Sequence, residues 1–387
     1  MVKTVRLAEI SSLITKGTTP TTLGFEFQET GINFLKIECF DENGAFLPGK
    51  VAHVSAECHE KLRRSQLQSG DLLFSIAGAI GRVAIVTDEM LPANTNQALA
   101  IIRINNPNVF IPYVKLILRS PVIEKQFERK KQGVAQLNLS LNDINELTIP
   151  LPDLKQQVEY VNLFEKIESV INHRKAELNA FDDLIKARFV EMFGAYNADC
   201  CNKTIGDYAQ VLGGYAFKSD EFIQDAIPVI RISNINEGKI IPDRAVCFSE
   251  QFWSDNPKFR AVAGDILMAM SGATTGKAGI LRSNESLLIN QRVACIRAKE
   301  GISLPEFLYA VTQLPWMYDL IQEKSAGCAQ PNISGKQIEN MPIPEATYMQ
   351  QKEFASFVSR VDKSKLAVQK ALDEAQLLFD SLMQNFF

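Results

Sequence analysis

A chain of 387 residues is long enough for two or more domains, each with its own core. Hydrophobic residues make up 46% of it and charged residues 22%, a composition typical of soluble globular proteins. No apolar run approaches the ~20 residues of a membrane helix, and the N-terminal "MVKTVRLAEISSL" lacks the apolar segment of a signal peptide. These features predict a cytoplasmic protein.

Charge and cysteine content argue against several simple functions. A net charge of −4 and a pI of about 5.7 lack the basic excess of a stand-alone DNA-binding protein. The seven cysteines form no C-x-x-C pair, so they predict neither a zinc ribbon nor a disulfide framework. His53, Cys58 and His59 lie close together, but a trio without a fourth ligand is more typical of a loop, and we predict no metal site.

The first half of the chain predicts a mixed α+β domain. Alternating apolar runs predict strands over roughly 32–40, 71–77, 82–87 and 97–104. A helical pattern follows near 110–131, and a long helix is predicted over 155–193.

A connector, Gly133–Gln157, joins this domain to its long helix. Ser140 and Asp153 begin N-cap patterns for a short helix and for the long one. Between them, Ile149–Pro150 predicts an extended step, because a residue before proline avoids the α conformation. This pattern favours a rigid joint between domain and helix over a catalytic role.

The second half repeats the first. Strands are predicted near 227–235, 265–271, 278–282 and 291–297, followed by a helical pattern near 304–325. The second connector, Gly327–Gln351, begins 194 residues after Gly133 and aligns with the first without a gap. Ser69–Val86 likewise matches Ala263–Leu281 with one inserted residue. Repetition at this length predicts a duplicated domain plus helix, with domains over 1–154 and 194–348 and helices over 155–193 and 349–387.

Both long helices carry the three- and four-residue spacing of a coiled coil. The apolar seam positions are Phe164, Ile167, Ile171, Leu178, Phe181 and Ile185, then Val358, Val361, Val368, Leu372, Phe379 and Leu382. Polar residues interrupt the seam at Arg174 and Arg188 in one helix and at Lys365 in the other. Because the polar interruptions fall at different positions along the two seams, the pattern favours pairing of the two helices with each other over packing of each helix on its own domain. The second helix must run back along the first, so the pair is predicted to be antiparallel.

No enzyme motif is complete. Ser271–Ala278 resembles a phosphate loop, but three residues separate Gly272 from Gly276, and Ala278 stands where Ser or Thr should follow the lysine. There is no G-x-G-x-x-G after a strand, no G-x-S-x-G elbow, and no Asn-Pro-Pro-Tyr or Asp-Pro-Pro-Tyr of an amino-methyltransferase. The sequence therefore predicts no catalytic residue in this chain.

Two glycine turns at matching positions are candidates for DNA contact. Gly78 and Gly272 permit a positive φ, and Arg82 and Lys277 then begin the returning strands. A cation just beyond a glycine turn suits a phosphate contact, and an ordinary solvated hairpin is the alternative.

Further polar positions match between the copies. Lys36 and Arg231 occupy equivalent strand positions, where they either contact phosphates or are merely exposed. The amides at strand starts are Asn96, Gln97, Asn290 and Gln291. Such side chains either read adenine bidentately or hold a loop. The most basic run of the first domain contains Arg129, Lys130 and Lys131, which either face a DNA backbone or form a solvated helix end.

Together these segments resemble the specificity subunit of type I restriction-modification systems. The resemblance is carried by "GDLLFSIAGAIGRVAI", "GDILMAMSGATTGKAGI", the two Asn-Gln segments, "QLNLSLNDINELTIPLPDLKQQ" and "QPNISGKQIENMPIPEATYMQQ", each connector preceding a long helix. It covers essentially the whole chain. One departure is Glu345–Ala346, where the first connector has Leu151–Pro152, and this puts in doubt how similarly the two joints pack.

The resemblance implies an α+β fold with two target recognition domains, separated by two antiparallel coiled-coil helices in a pseudo-twofold tandem repeat. Each domain would read one half of a bipartite double-stranded DNA site. The chain would be non-catalytic and without a cofactor, while two methyltransferase subunits bind S-adenosylmethionine and methylate a flipped adenine. Motor-nuclease subunits using ATP and Mg²⁺ would be able to join. A coiled-coil scaffold that does not read DNA, and a self-contained enzyme, are the alternatives.

Overall fold

The structure is a computed structural model that describes residues 3–128, 138–194, 201–236, 238–325 and 331–387. Two compact units are present: Met1–His173 with Ala371–Phe387, and Arg174–Lys370. Each unit contains one globular domain and a portion of both long helices.

The described part of the first unit contains two sheets of three or more strands and one two-stranded sheet. Its strands are β1 (Thr4–Arg6), β2 (Leu13–Lys16), β3 (Ile32–Leu35), β4 (Ala52–Val54), β5 (Leu72–Ser75), β6 (Val83–Ile85), β7 (Ala93–Thr95), β8 (Leu99–Arg103) and β9 (Thr148–Pro150). Its helices are α1 (Leu7–Ile10), α2 (Ala56–Lys61), α3 (Ile111–Leu118), α4 (Pro121–Glu128), α5 (Leu141–Asn145) and the start of α6 (Leu154–Phe193). An antiparallel sheet has the order β2-β8-β5-β6, and a second sheet, β4-β3-β7, contains the parallel pair β3–β7.

The second unit repeats this plan. Its strands are β10 (Lys203–Thr204), β11 (Ala209–Gly213), β12 (Ile227–Ile230), β13 (Ile235–Asn236), β14 (Lys239–Ile240), β15 (Cys247–Phe248), β16 (Arg260–Ala261), β17 (Ile266–Ala269), β18 (Ala278–Ile280), β19 (Leu287–Ile289), β20 (Val293–Ala298) and β21 (Pro342–Ile343). Its helices are α7 (Ile205–Tyr208), α8 (Glu250–Asp255), α9 (Pro305–Thr312), α10 (Pro315–Ser325), α11 (Gly335–Glu339) and most of α12 (Tyr348–Phe386). The order β11-β20-β17-β18 matches the first antiparallel sheet, and β15-β12-β19-β16 extends the second by one strand.

The antiparallel sheet of the first domain is buried on both faces. Leu72, Phe74 and Ile102 pack into a core with α3 and α4. Leu73 and Ile101 point to the opposite face and pack into a second core that includes Leu35 and Ala93 of the other sheet. Burial on both faces explains why these strands are continuously apolar rather than alternating.

Prolines break both of the predicted middle helices. The single helix predicted near 110–131 is wrong: α3 ends at Leu118 and α4 begins at Pro121. The one predicted near 304–325 is divided in the same way, with α10 beginning at Pro315. Proline lacks the backbone N–H that a continuing helix would need, but it suits the first turn of a new one.

The connectors form the predicted joints. Ser140 and Asp143 cap α5 reciprocally, with Ser140 N–H donating to Asp143 Oδ2 at 2.8 Å and Asp143 N–H to Ser140 Oγ at 3.2 Å. The same capping box opens α11. The Ile149–Pro150 step forms β9, which pairs with β1 and so closes the domain at its own N-terminal strand.

A buried glutamine fastens each long helix to its domain. Gln157 is 0% exposed; its Oε1 accepts from Phe110 N–H at 2.8 Å, and its Nε2 donates to Asn108 O at 3.0 Å and Pro152 O at 2.9 Å. Gln351, also 0% exposed, makes the same three kinds of bond in the second domain. The second glutamine of each "QQ" thus satisfies backbone groups that would otherwise be buried without partners.

Within each unit the two long helices run antiparallel. In the first unit Tyr160 meets Phe386 with ring centroids 4.7 Å apart, and Phe164 meets Phe379 at 5.2 Å. In the second unit Lys365 Nζ donates to Asp182 Oδ1 at 2.6 Å. There, Arg188 donates to Glu353 at 2.8 Å and Phe189 packs on Phe354 at 5.5 Å. Rising residue numbers in one helix meet falling numbers in the other, so the predicted direction of pairing is confirmed.

The proposed seam residues of both helices are all buried or half-buried. Phe189, Phe193 and Met383 are also buried, although they lie outside the predicted seam. Phe189 replaces Arg188 as the inward residue at its level, and Arg188 instead pairs with Glu191 and Glu353. A real helix has 3.6 residues per turn, so its inward face drifts away from a strict seven-residue repeat.

The glutamine joint can be tested by removing one side chain. Gln157→Ala should lower the free energy of unfolding by about 2–4 kcal/mol, because it leaves a buried N–H and two carbonyls without partners. Gln156→Ala removes the same side chain from the neighbouring exposed position and should change it by less than about 0.5 kcal/mol. Urea unfolding of the full chain, followed by circular dichroism, measures both. Equal effects of the two substitutions would contradict the role given to Gln157.

Candidate nucleic-acid interface

The matched polar residues meet where two parallel strands end. Leu35 pairs with Thr95 in the parallel ladder β3–β7, and Lys36 and Asn96 come immediately after this pair. In the second domain Ile230 pairs with Ile289, and Arg231 and Asn290 follow. Because the two parallel strands leave the sheet at the same edge, the topology brings the basic residue and the amide pair to one place in each domain.

An asparagine shapes the turn that follows. Asn96 Oδ1 accepts from Ala98 N–H at 3.1 Å, and Asn290 Oδ1 accepts from Arg292 N–H at 3.2 Å. These Asx turns engage the asparagine oxygens with their own backbone. The next residues, Gln97 and Gln291, are exposed. Gln97 accepts from the hydroxyl of Thr19.

The glycine turns pack directly against these Asx turns. Ile76 N–H donates to Ala98 O, and Met270 N–H donates to Arg292 O, each at 2.9 Å. Gly78 and Gly272 have φ values of 72° and 79°, the positive φ that the sequence predicts. We call this assembly the strand-end surface: Lys36, Asn96, Gln97 and residues 76–82 in the first domain, and Arg231, 290–292 and 270–277 in the second.

The cations of the strand-end surface differ in how far they are engaged. Lys36 Nζ lies 4.7 Å from the ring centroid of Phe27 and 3.8 Å from Glu38. Arg82 donates to Phe40 O at 3.3 Å. In the second domain, Arg231 pairs with Asp243 at 3.1 Å.

Lys277 is exposed and immediately precedes β18. The basic run Arg129, Lys130 and Lys131 lies outside the described residues. The next described segment begins at residue 138, and in it Leu139 N–H donates to Ile76 O at 2.9 Å.

In each domain a partly buried arginine pairs with a buried aspartate. Arg103 contacts both carboxylate oxygens of Asp71 at 2.7 Å, and Arg297 contacts those of Asp265 at 2.9 and 2.7 Å. The carboxylate raises the pKa of each guanidinium, so both arginines keep their charge. These pairs match no motif considered from the sequence, although both members recur at the same spacing within the repeated "GD" and "IR" segments.

Two glycines allow a close backbone crossing beneath the strand-end surface. A Cβ on Gly17 would lie 2.0 Å from Thr95 O, and one on Gly214 would lie 2.2 Å from Asn290 O. The following residues continue the contact, with Thr18 N–H donating to Thr95 O and Tyr215 N–H to Ile289 O. Sequence analysis missed both glycines, because this early segment shows little similarity between the two copies.

Neither a metal site nor a membrane helix is found among the residues that the structure describes. Within the described residues no group of three or more His, Cys, Asp and Glu side chains could hold a metal ion. His59 Nδ1 instead lies 2.5 Å from Asn94 Oδ1. None of the described helices combines the length and the apolar character that crossing a bilayer requires.

Comparison with known proteins identifies the family. The profile described as "Type I restriction modification DNA specificity domain" matches residues 1–180 and again residues 197–375. The chain belongs to this family. Members are specificity subunits, so the chain is not itself an enzyme, and its predicted resemblance is confirmed.

Individual relatives agree with this assignment. The specificity subunit of the type I restriction enzyme EcoBI from Escherichia coli is 29% identical over 167 residues, which is 41% of this chain and only 34% of that protein. The specificity subunit of the MjaVIII enzyme from Methanocaldococcus jannaschii is 20% identical over 296 residues, covering 70% of each protein. The match therefore spans about a third of the first relative and most of the second.

Solved structures share the fold. One comes from work on complex assembly and conformational transition of the type I restriction-modification system. Its TM-score is 0.58 at 19% identity, and the match covers 99% of this chain and 96% of that chain. The S subunit from M. genitalium has a TM-score of 0.54 at 13% identity, covering 100% of this chain and 96% of its own. The predicted α+β fold of two similar domains with two long antiparallel helices is thus confirmed.

The glycine crossing gives a stability test of the strand-end surface. Gly214→Ala should lower the free energy of unfolding by about 1–3 kcal/mol, because the new Cβ forces the backbone of Ile289 and Asn290 aside. Gly213→Ala is the matched control: its Cβ meets nothing within 4 Å, and no loss is expected. Thermal unfolding of the full chain compares them, and a loss for Gly213→Ala as large as that for Gly214→Ala would contradict the crossing.

Proposed function

We propose that the chain is the DNA sequence-recognition subunit of a type I restriction-modification complex and that it reads a bipartite double-stranded site. The observation that carries this proposal is the strand-end surface, which is built twice on the same backbone with different exposed side chains. Two domains with the same backbone arrangement but different exposed side chains suit two half-sites of different sequence.

Each candidate residue named from the sequence has a proposed role. We assign phosphate contact to Lys36, Arg82, Arg129, Lys130 and Lys131 in the first domain and to Arg231 and Lys277 in the second. Gln97 and Gln291 are exposed and carry both an acceptor and a donor, so they suit bidentate reading of adenine. Asn96 and Asn290 hold their turns in place, and Gly78 and Gly272 let the turn backbone approach the DNA.

We propose that the recognition domains comprise 1–154 and 194–348 and that the helices 155–193 and 349–387 act as the spacer between the half-sites. The two halves of the site would then be split by a gap whose bases are not read. Spacer geometry sets half-site separation in proteins that read DNA with paired domains.

Partner subunits complete the activity in this proposal. A chain with net charge −4 gains little from counterion release, so partners supply much of the phosphate contact. We propose two methyltransferase subunits, which bind S-adenosylmethionine and methylate one adenine in each half-site. Motor-nuclease subunits that use ATP and Mg²⁺ join the same assembly.

Exposed leucines on the long helices are the proposed docking positions of the methyltransferase subunits. Leu366 in the second unit is 74% exposed, and Leu377 in the first unit is 70% exposed. Leu184 and Leu378, which are equivalent positions 194 residues apart, are 46% and 50% exposed, one in each unit. Large apolar side chains exposed in both units fit one apolar partner surface per unit.

A domain exchange tests the reading of two half-sites. Residues 1–154 of the chain are replaced by the corresponding segment of another family member. The resulting chimera is co-expressed with the methyltransferase subunit that partners the unaltered chain. Long-read sequencing then reports the methyladenine motif. We expect one half of a split motif to change while the other half and the gap stay the same. Changes in both halves, or methylation without a sequence motif, would contradict the proposal and favour a scaffold that does not read DNA.

A substitution on the helix surface tests the docking. Leu366→Glu should reduce the assembly from two methyltransferase subunits to one in native mass spectrometry, because a carboxylate is costly to bury in an apolar interface. Leu366→Met keeps the surface apolar and should retain both subunits. Since the position is exposed, the melting temperature of the free chain should not change. Retention of two subunits by Leu366→Glu would rule out this docking position.

A further inference from the structure

Arg292 occupies the strand-end surface of the second domain without belonging to any of the predicted sites. Its backbone N–H donates to Asn290 Oδ1 at 3.2 Å, and its carbonyl accepts from Met270 N–H at 2.9 Å. The residue is exposed. Its Cα is therefore fixed from both sides while its side chain faces solvent.

The guanidinium of Arg292 has no partner within the described residues: it makes no hydrogen bond, no ring contact and no ion pair within 4.0 Å. Other arginines of the same domain are engaged. Arg231 pairs with Asp243, Arg297 with Asp265, and Arg260 lies 4.0 Å from the ring centroid of Trp253. Arg292 thus keeps all five of its donors available for a ligand.

A second exposed cation lies beside it. Ala269 N–H donates to Lys277 O, and the next residue, Met270, donates to Arg292 O. Lys277 and Arg292 therefore flank the end of β17, and neither is paired with a carboxylate in the part of the chain that the structure describes. Uncompensated neighbouring cations favour an electronegative ligand, which the groove face and backbone of DNA provide.

We infer that Arg292 reads a guanine in the half-site of the second domain, an inference that rests on the proposed function. The planar guanidinium fork matches guanine O6 and N7, whereas a phosphate contact needs only a charge, which Lys277 already supplies. The first domain has Ala98 at this position, with the same carbonyl bond to Ile76 N–H at 2.9 Å. The guanine contact is therefore specific to one half-site.

The test uses the complete complex of the chain with its methyltransferase subunits. Wild type, Arg292→Ala and Arg292→Lys are assayed for methylation of a DNA library in which each base pair of both half-sites is varied. In wild type we expect a G·C preference at one position of the half-site that domain exchange assigns to residues 194–348. Arg292→Ala should lose this preference, about 5- to 100-fold, at that position alone.

The lysine variant separates base reading from phosphate contact. Arg292→Lys keeps the charge but loses the fork, so the preference should stay relaxed while affinity for DNA in general is retained. A lysine variant that discriminates like wild type, or an alanine variant that weakens all sequences equally, would show a phosphate contact and overturn the inference. An unchanged alanine variant would overturn it as well.

Two controls complete the design. Arg360→Ala removes another exposed arginine, on α12, whose side chain also has no partner among the described residues, and base preference should not change. If Arg360→Ala changed the base preference as much as Arg292→Ala does, the inference would be overturned, because the change in base preference would then follow the net charge of the chain. Absence of any base preference in the wild-type complex would instead reject the proposed function itself.

Discussion

The geometry of each unit depends on how firmly a long helix is fixed at its first turn. The part of α6 that belongs to the first unit, residues 154–173, has 20 residues, so at 1.5 Å per residue a rotation of one degree at its start moves the end of that part by about 0.5 Å. Gln157 opposes such rotation because it bonds to Phe110, Asn108 and Pro152 at once, all of them in or next to the globular domain. Gln351 repeats the arrangement at the start of α12. On the proposed function, a spacer built from these helices requires a joint of this kind.

The buried backbone arrangement that the two domains share and the exposed side chains that differ between them have different physical roles. In the pairs Asp71–Arg103 and Asp265–Arg297 the arginine contacts both oxygens of a buried carboxylate, and both antiparallel sheets have the same strand order. At the strand-end surface, however, Ala98 in one copy corresponds to Arg292 in the other. A frame held by buried bonds tolerates such changes, because an exposed side chain contributes little to folding. The same fold can therefore present different chemistry to two partners.

Much of the fold followed from patterns with a local physical cause. The capping boxes that open α5 and α11 and the antiparallel pairing of the helices were predictable, because caps and apolar seams depend on residues close together in sequence. The surface itself was predictable only in part. The candidate residues were named from matching positions, but their meeting at the ends of β3 and β7 depends on a parallel pairing between distant segments.

Other features have no local signal at all. Within "QQ" the first glutamine is exposed and the second is fully buried, a difference that only the docked helix creates. Phe189 is inward while Arg188 is not, because 3.6-residue periodicity departs from the heptad over a long helix. The crossing at Gly214 depends on contact with Asn290 across the fold, and a short glycine pair in the sequence does not reveal its partner.

An acidic protein can carry out DNA recognition if specificity and affinity are divided between subunits. Many cations of this chain are engaged internally: Arg103 and Arg297 in buried pairs, Arg231 with Asp243, and Lys36 near Phe27 and Glu38. Each cation that contacts a phosphate adds about 0.9 to the salt dependence of binding, so a surface whose cations are partly engaged within the protein binds any sequence more weakly. Base contacts then make up a larger share of the interaction, and the ratio between correct and incorrect sites rises even though total affinity is low. On the proposed function, a subunit of this kind would occupy DNA firmly only after partners contribute their own phosphate contacts, which restricts recognition to the assembled complex.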